Sequence, residues 1–166
     1  MSDAEFTVHI TREGDATLAL DERTKMVDKL GNVVAFISLH ANAAKNPKVS
    51  GVETFYLDHD AFKNHVSCLD EDDSVAIGHH RKNLASKSKL LAACVHNQII
   101  ESAKSFYSVV DRKVKQDVGQ VLLSKAPSIL IECGFLSNPQ ESALLFSDGY
   151  QNALAAAIVA GIMKFL

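Results

Sequence analysis

The chain has 166 residues, of which 47% are apolar, and a formal net charge of −3. This length and apolar content fit one globular domain with its own core. A weakly acidic chain without a stripe of basic residues argues against nucleic-acid binding, and no apolar run is long enough to predict a membrane span. Residues 1–5 are polar and lack the basic and apolar regions of a signal peptide.

The first part of the chain predicts alternating strands and a helix. In chain order these are a strand at residues 6–10, a helix at 15–30, and strands at 33–39 and 52–57. In the helix we expect Leu18, Met26 and Leu30 to face inward and Gly31 to end it. The strand at 52–57 has three residues on one face: Val52, Thr54 and Tyr56.

The central part begins with an acidic stretch, and we predict a surface loop or insertion over residues 58–83. The apolar spacing over residues 84–110 then predicts a helix long enough to cover one face of the sheet. A short helix is predicted at 116–124. The whole chain, 1–166, reads as a single domain without repeats or linkers.

The last part predicts a short buried strand at residues 128–131 and then a turn. Asn138 is the expected N-cap of the following helix, because its side chain can accept from the first free backbone N–H groups. A last amphipathic helix is predicted at 150–165, with small residues that allow close approach to the sheet. Together the elements predict an α/β fold, a mainly parallel sheet flanked by helices on both faces in three layers.

Two predicted strands end in polar side chains. Glu132 follows the apolar residues 128–131, and His40 follows the strand at 33–39. In open α/β sheets, sites lie outside the carboxyl ends of the strands, so these two groups are expected to share one rim. Asn42, in the loop after His40, is expected to close that loop by an Asx turn.

The three cysteines are odd in number and match no zinc-finger or CxxC spacing. Cys133 is a candidate nucleophile if His40 lies near it. Side chains alternate along a strand, so Cys133 points away from the site if Glu132 points into it. A Cys-His hydrolase therefore ranks below a metal site, and Cys68 and Cys94 are interpreted as reduced thiols.

At these residues the chain resembles a known family. Residues 38–43 (Ser-Leu-His-Ala-Asn-Ala) and 131–138 (Ile-Glu-Cys-Gly-Phe-Leu-Ser-Asn) resemble two motifs of the zinc-dependent N-acetylmuramoyl-L-alanine amidases. Residues 8–12, with Asp15, Leu20 and Arg23 after them, resemble the segment that precedes the histidine motif. The resemblance covers nearly all of the chain from Phe6 onward.

The resemblance implies a reaction and a cofactor. These peptidoglycan hydrolases cut between the lactyl group of N-acetylmuramic acid and the first L-alanine of the stem peptide. By this resemblance His40 is a zinc ligand and Glu132 is the acid/base that moves the proton. The family holds zinc with two further ligands, a His in a Gly-His-Gly-type loop after its first strand and a Glu on the helix region that follows. Only five residues precede Phe6, so both ligands lack a counterpart and the domain reads as N-terminally incomplete.

The resemblance also implies partners and a location. Peptidoglycan or its muropeptides would be the substrate, and the periplasm or cell envelope the place of action. Two alternatives stay open, because one histidine cannot hold zinc alone. The chain is then an inactive truncated remnant, or a peptidoglycan-binding or regulatory module. A sheet that lacks its first strand is also expected to self-associate through an exposed edge.

Several polar residues have simpler interpretations beside these. A salt bridge between strand and helix explains Arg12, Asp15 and Arg23 without any catalytic role. Within the predicted insertion, Glu71 or His79 would be the residues able to reach a vacant coordination position. A charge run is more often a solvated face, so the surface-loop interpretation is preferred for that stretch.

Overall fold

The computed structural model describes residues 6–58 and 74–166. These residues form a four-stranded sheet and four α-helices. The strands are β1 (Phe36–Asn42), β2 (Val52–Tyr56), β3 (Asp111–Gln116) and β4 (Ser128–Phe135). The helices are α1 (Leu20–Leu30), α2 (Ser74–Ala103), α3 (Pro139–Leu145) and α4 (Asp148–Phe165), and Gln120–Leu123 form a 3₁₀ turn.

The strands are ordered β1-β4-β2-β3 across the sheet. β1 and β4 are parallel, β2 and β3 are parallel, and the central pair of β4 and β2 is antiparallel. Two of the three pairings are therefore parallel, which confirms the predicted mainly parallel α/β sheet. The antiparallel pair brings the start of β2 beside the carboxyl end of β4.

Helices cover both faces of the sheet, which confirms the three-layer arrangement. On one face α2 and α4 pack over the inward side chains of β2 and β4, including Val52 and Ile131, both fully buried. On the other face Val27 of α1 and the 3₁₀ turn pack against Phe36. Burial of this apolar area is the main force that holds the layers together.

The N-terminal predictions are partly wrong. Residues 6–10 form no strand, and their side chains are exposed. A strand needs a hydrogen-bonded neighbour, and none of the strands in the described part of the chain pairs with them. Helix α1 begins at Leu20 rather than residue 15, and it buries Thr24 and Val27. Met26 and Leu30, predicted to face inward, are exposed, whereas Gly31 ends the helix as expected.

Both strands that carry the predicted site extend further than expected. β1 runs to Asn42 and β4 to Phe135, so His40, Asn42 and Glu132 lie inside strands rather than after them. The ladder continues across a bulge, where Asn42 pairs with Phe135. Gly134 adopts a φ of +148° there, a conformation that other residues rarely take.

The stretch between the long helix and β4 differs from the prediction. β3 was not predicted, and the expected helix at 116–124 is only the short 3₁₀ turn. β3 has one apolar residue, Val114, because it is an edge strand that pairs with β2 alone. Helix α2 runs from Ser74 to Ala103 instead of 84–110, so residues 74–83 of the predicted loop are helical. Residues 59–73 of that loop lie outside the described residues.

The small residues of α4 approach α2 rather than the sheet, which corrects the prediction. A Cβ atom built on Gly161 would lie 2.5 Å from the Cα atom of Val95. The two helices therefore pack with their backbones unusually close at this point. No helix among the described residues is long and apolar enough to cross a membrane.

Candidate active site

Three polar side chains form a row across β1, β4 and β2. His40 is the register partner of Glu132 in the parallel pair, and Glu53 is its partner in the antiparallel pair. Register partners direct their side chains to the same face of a sheet. The structure thus brings the two sequence-predicted residues together and adds a second carboxylate.

His40 is half-buried at the β1 end of this row. Its Nε2 atom lies 2.9 Å from the Ser38 hydroxyl. Burial lowers the pKa of His40, and the positive charges of Arg23 and Arg12 lower it further. The ring is therefore held in its neutral form, which is the form that binds metals or accepts protons.

Glu132 occupies the centre of the row. Burial raises its pKa to about 7, and the neighbouring Glu53 contributes to the same shift. Its Oε2 atom is buried and has no hydrogen-bond partner among the described residues. A carboxyl group that titrates near neutral pH and leaves one oxygen free is suited to general acid/base chemistry.

Glu53 completes the row and is almost fully buried, at 4% exposure. Its carboxylate accepts from Asn42 Nδ2 at 2.8 Å, from Arg112 Nε at 3.1 Å and from Lys115 Nζ. Burial raises the pKa of Glu53, but the hydrogen bonds from Lys115 and Arg112 outweigh it, so the pKa lies below its usual range. Glu53 is therefore ionised at neutral pH.

Sequence reasoning missed Glu53. Val52, Thr54 and Tyr56 were predicted to share one face of the strand, which left Glu53 on the opposite face without an assigned role. The sequence feature that could have identified Glu53 is an acidic residue between apolar and aromatic residues inside a predicted strand. A buried carboxylate is costly unless it is paired with a cation or belongs to a functional site.

Asn42 has two roles. Its Oδ1 atom accepts from the backbone N–H of Ala43 at 2.7 Å, a contact to the next residue rather than the predicted Asx turn, which bonds the N–H two residues on. Its amide group also donates to Glu53, and this contact across β4 was not predicted. Asn42 therefore joins β1 to β2 at the rim of the sheet.

The predicted salt bridge at the N-terminal segment is wrong. Arg12 donates to the carbonyl of Ala16, and Arg23 donates to the carbonyl of Leu18. Both guanidinium groups thus hold the loop before α1 instead of pairing with Asp15. Their charges still act on His40.

The turn after β4 is fixed by α3. Asn138 accepts from the N–H groups of Gln140 and Glu141, which confirms it as the N-cap. Glu141 is buried, and its carboxylate accepts from the backbone N–H groups of Gly51 and Phe135 at 2.7 and 2.8 Å. This single side chain therefore joins the start of β2 to the end of β4, next to the row.

Cys133 points away from the site, as predicted. It is buried in the core on the α2–α4 face, and burial raises the pKa of its thiol to about 12. A neutral thiol in that position is a poor nucleophile, which argues against a Cys-His hydrolase. Cys94 is a free thiol on α2, and Cys68 lies outside the described residues.

A second histidine, His96, lies on the opposite face of the sheet. His96 of α2 is buried and lies 3.0 Å from the Thr54 hydroxyl and 2.9 Å from an Asp111 carboxylate oxygen. These contacts attach α2 to β2 and β3. Because the sheet separates them from Glu132, they belong to the scaffold rather than to the site.

A zinc site with three protein ligands does not fit the described residues alone. Among the side chains that the structure describes, which leave out those of residues 1–5 and 59–81, no three His, Cys, Asp or Glu side chains are grouped so that they could hold a metal ion. His40 offers one imidazole, whereas catalytic zinc takes three ligands. Glu71 and the side chain of His79 lie outside the described part, so their predicted reach toward the site stays a prediction.

Comparison with known proteins places this chain in a family. The sequence model of the N-acetylmuramoyl-L-alanine amidases (Amidase_3) matches residues 1–164. The N-acetylmuramoyl-L-alanine amidase AmiA of Escherichia coli is 27% identical over 94% of this chain and 60% of its own length. The germination-specific N-acetylmuramoyl-L-alanine amidase of Bacillus subtilis is 29% identical over 95% of this chain and 61% of its own length.

Solved structures agree with the sequence comparison. The catalytic domain of CwlV, an N-acetylmuramoyl-L-alanine amidase from Bacillus (Paenibacillus) polymyxa var. colistinus, superposes with a TM-score of 0.73 at 27% identity, over 96% of this chain and 72% of that domain. An N-acetylmuramoyl-L-alanine amidase from Clostridium difficile 630 gives 0.74 at 28% identity, over 99% and 74%. The chain spans about 60% of the two curated relatives described above. It belongs to the N-acetylmuramoyl-L-alanine amidase family.

Proposed function

We propose that the protein hydrolyses the amide bond between N-acetylmuramic acid and the first L-alanine of peptidoglycan. The observation that carries this proposal is the position of Glu132, which titrates near neutral pH beside a neutral His40 on one rim of the sheet. Family membership supplies the substrate class, because both curated relatives are named as amidases of this bond.

Glu132 has a definite task in this reaction. Hydrolysis breaks the C–N bond, adds the hydroxyl of water to the carbonyl carbon and leaves a proton for the nitrogen. A carboxylate with a pKa of about 7 can accept the proton from water and then donate it to the departing amine. The Oε2 atom without a partner in the described residues is the oxygen available for this transfer.

We propose His40 as one ligand of a zinc ion, with the remaining ligands supplied from outside the described residues. Zinc, when bound, would polarise the scissile carbonyl and activate water. Because His40 is the only ligand identified among the described residues, the 166-residue chain alone is expected to hold zinc weakly or not at all. Metal analysis of the purified chain tests this, and His40→Ala should remove any zinc that is bound. Tight, stoichiometric zinc with three ligands from residues 1–166 would contradict the proposal.

The activity test is digestion of purified peptidoglycan by a form of the protein that metal analysis shows to hold zinc, with release of L-alanine amino termini as the readout. Glu132→Gln should lower the rate by at least about a hundredfold, because the variant cannot transfer the proton. Glu101→Gln is the matched control. It removes an exposed carboxylate of α2 that pairs with Lys104, and it should keep the wild-type rate. A Glu132→Gln variant with full activity would contradict the assignment.

A second candidate function is a peptidoglycan-binding or regulatory module without hydrolysis. The observation that favours it is the lack of a three-ligand group among the described residues. Sedimentation of the protein with insoluble peptidoglycan, without any released amino termini at saturating zinc, would support binding alone. Either function would place the protein at the cell wall, in the periplasm or cell envelope.

A further inference from the structure

The row of site residues continues onto β3 as a pair of cations. Lys115 is on the strand that pairs with β2, and its Nζ atom bonds Glu53 on the site face. Arg112 bonds the same carboxylate through Nε, and its guanidinium lies 5.1 Å from the centre of the Phe135 ring. The site thus has a carboxylic acid at its centre and a cationic flank on the β3 side.

Among the residues that the structure describes, this flank keeps an uncompensated positive charge. Two cations share the single carboxylate of Glu53, whose side chain is nearly buried beneath them. Lys113 does not contribute to the pair, since its ammonium bonds Asp111 instead. On the opposite side of the row, Arg12 and Arg23 add positive charge near His40. An anionic group that approaches the β3 side of Glu132 therefore meets a net positive surface.

Arg112 is prepared to bind a planar anion. Its hydrogen bond to Glu53 uses only Nε, and neither terminal nitrogen has a hydrogen bond with the residues that the structure describes. The Phe135 ring and Glu53 fix the guanidinium plane, and the side chain remains 33% exposed. A fixed guanidinium with two free terminal nitrogens matches the two oxygens of a carboxylate.

The distance between Glu132 and the cations on β3 indicates which part of the substrate these cations would bind. β3 lies two strand spacings from β4, which is about 10 Å. An extended peptide advances about 3.5 Å per residue, so the residue after L-alanine begins about 3.5 Å from the scissile nitrogen and its α-carboxyl group lies about 7 Å away. We propose that Arg112 and Lys115 form a subsite that binds a carboxylate on the residue following L-alanine in the stem peptide. This inference rests on the proposed function and specifies its substrate as an acidic rather than an amidated stem.

The test compares two small ligands that differ in one group. These are N-acetylmuramoyl-L-alanyl-D-glutamate γ-methylamide, with a free α-carboxylate, and its α-amide; the γ-carboxyl group is capped in both, so the α-carboxylate is the only difference. Dissociation constants are measured by calorimetry or NMR titration on wild type and on Arg112→Gln. We expect wild type to bind the acid about tenfold more tightly than the amide, as one charge-assisted hydrogen-bonded pair implies. Arg112→Gln should bring this ratio close to one while affinity for the amide is kept.

The controls separate this inference from the proposed function. Lys113→Gln also removes one positive charge from β3, but Lys113 bonds Asp111 and is not part of the Arg112–Lys115 subsite. The ratio of acid to amide affinity should therefore stay at the wild-type value in this variant. Lys115→Gln should lower the ratio and serves as the second variant if Arg112→Gln does not fold. Equal binding of both ligands by wild type, or an unchanged ratio in both Gln variants, would overturn the subsite while leaving the amidase proposal intact. Binding of the acid with the expected ratio but without any peptidoglycan cleavage would support the subsite and contradict hydrolysis.

Discussion

At the scale of single residues, the site depends on two carboxyl groups with opposite proton affinities. Glu132 and Glu53 are register partners on β4 and β2. Burial, with a contribution from the charge of Glu53, raises the pKa of Glu132 to about 7, whereas Lys115 and Arg112 keep Glu53 ionised. Separating two neighbouring pKa values in this way yields one group that exchanges protons and one that stays charged.

The raised pKa of Glu132 predicts a pH-dependent stability effect of Glu132→Gln. The folded state binds the proton more tightly than the unfolded chain, so ionised Glu132 costs stability as pH rises from about 4.5 to about 7. Since the group is only half-buried, we discount the full shift and expect about 1–2 kcal/mol. Urea unfolding should show the variant more stable than wild type at pH 8, with a smaller difference at pH 5. The same difference at both values would show that burial does not raise this pKa.

At the scale of elements, the contact between α2 and α4 determines how one face of the sheet is covered. Gly161 and Val95 meet where the two helix backbones are closest. Both helices contribute to the core that includes Leu91, Ile99 and Leu154. A change at this point moves a whole helix, because the neighbouring atoms are backbone atoms that cannot rotate away.

Gly161→Ala is therefore expected to destabilise the fold. The added methyl group would lie 2.5 Å from Val95 Cα and 2.9 Å from Val95 N, so the helices must separate. We expect a loss of about 1–3 kcal/mol in the free energy of unfolding, as for other overpacked cores. Gly149→Ala on the same helix has only a 4.0 Å contact, with Phe106, and should leave stability unchanged or raise it slightly. Equal effects of the two substitutions in urea unfolding would contradict this account.

At the scale of the whole molecule, β1 forms one edge of the described sheet. Leu39 on this strand is 58% exposed, and residues 6–10 add further exposed apolar side chains. Edge strands present unpaired backbone groups, and natural proteins commonly protect them with charge or with a cover. β3 at the other edge is protected in this way, since it carries Arg112, Lys113 and Lys115.

The β1 edge predicts self-association or rearrangement of the sheet edge. Light scattering should show an apparent mass that rises with protein concentration. Leu39→Lys should lower this association, because a charge on an edge strand disfavours pairing. Leu90→Lys, an equally exposed leucine on α2, is the matched control and should behave as wild type. A wild-type chain that stays monomeric at high concentration would contradict the prediction.

The sequence predicted the features that depend on local patterns. Alternation in β2 placed Val52, Thr54 and Tyr56 on one face, which the structure shows to be buried, and Asn138 was recognised as an N-cap. Such features depend only on residues close together in the chain, so they can be predicted from the sequence. The same reasoning found His40 and Glu132, because each interrupts an apolar run.

Pairing between strands that are far apart in the chain could not be predicted from local patterns. β3 is polar and becomes a strand only because β2 offers it a hydrogen-bonding edge, whereas the apolar residues 6–10 remain unpaired for lack of one. Glu53 and Arg112 joined the site through the register of β2 with its neighbours. The sequence by itself determined which residues could do chemistry, and the tertiary structure decided which of them meet. The physical reason is that side-chain direction repeats over a few residues, whereas strand register is set by contacts between segments far apart in the chain.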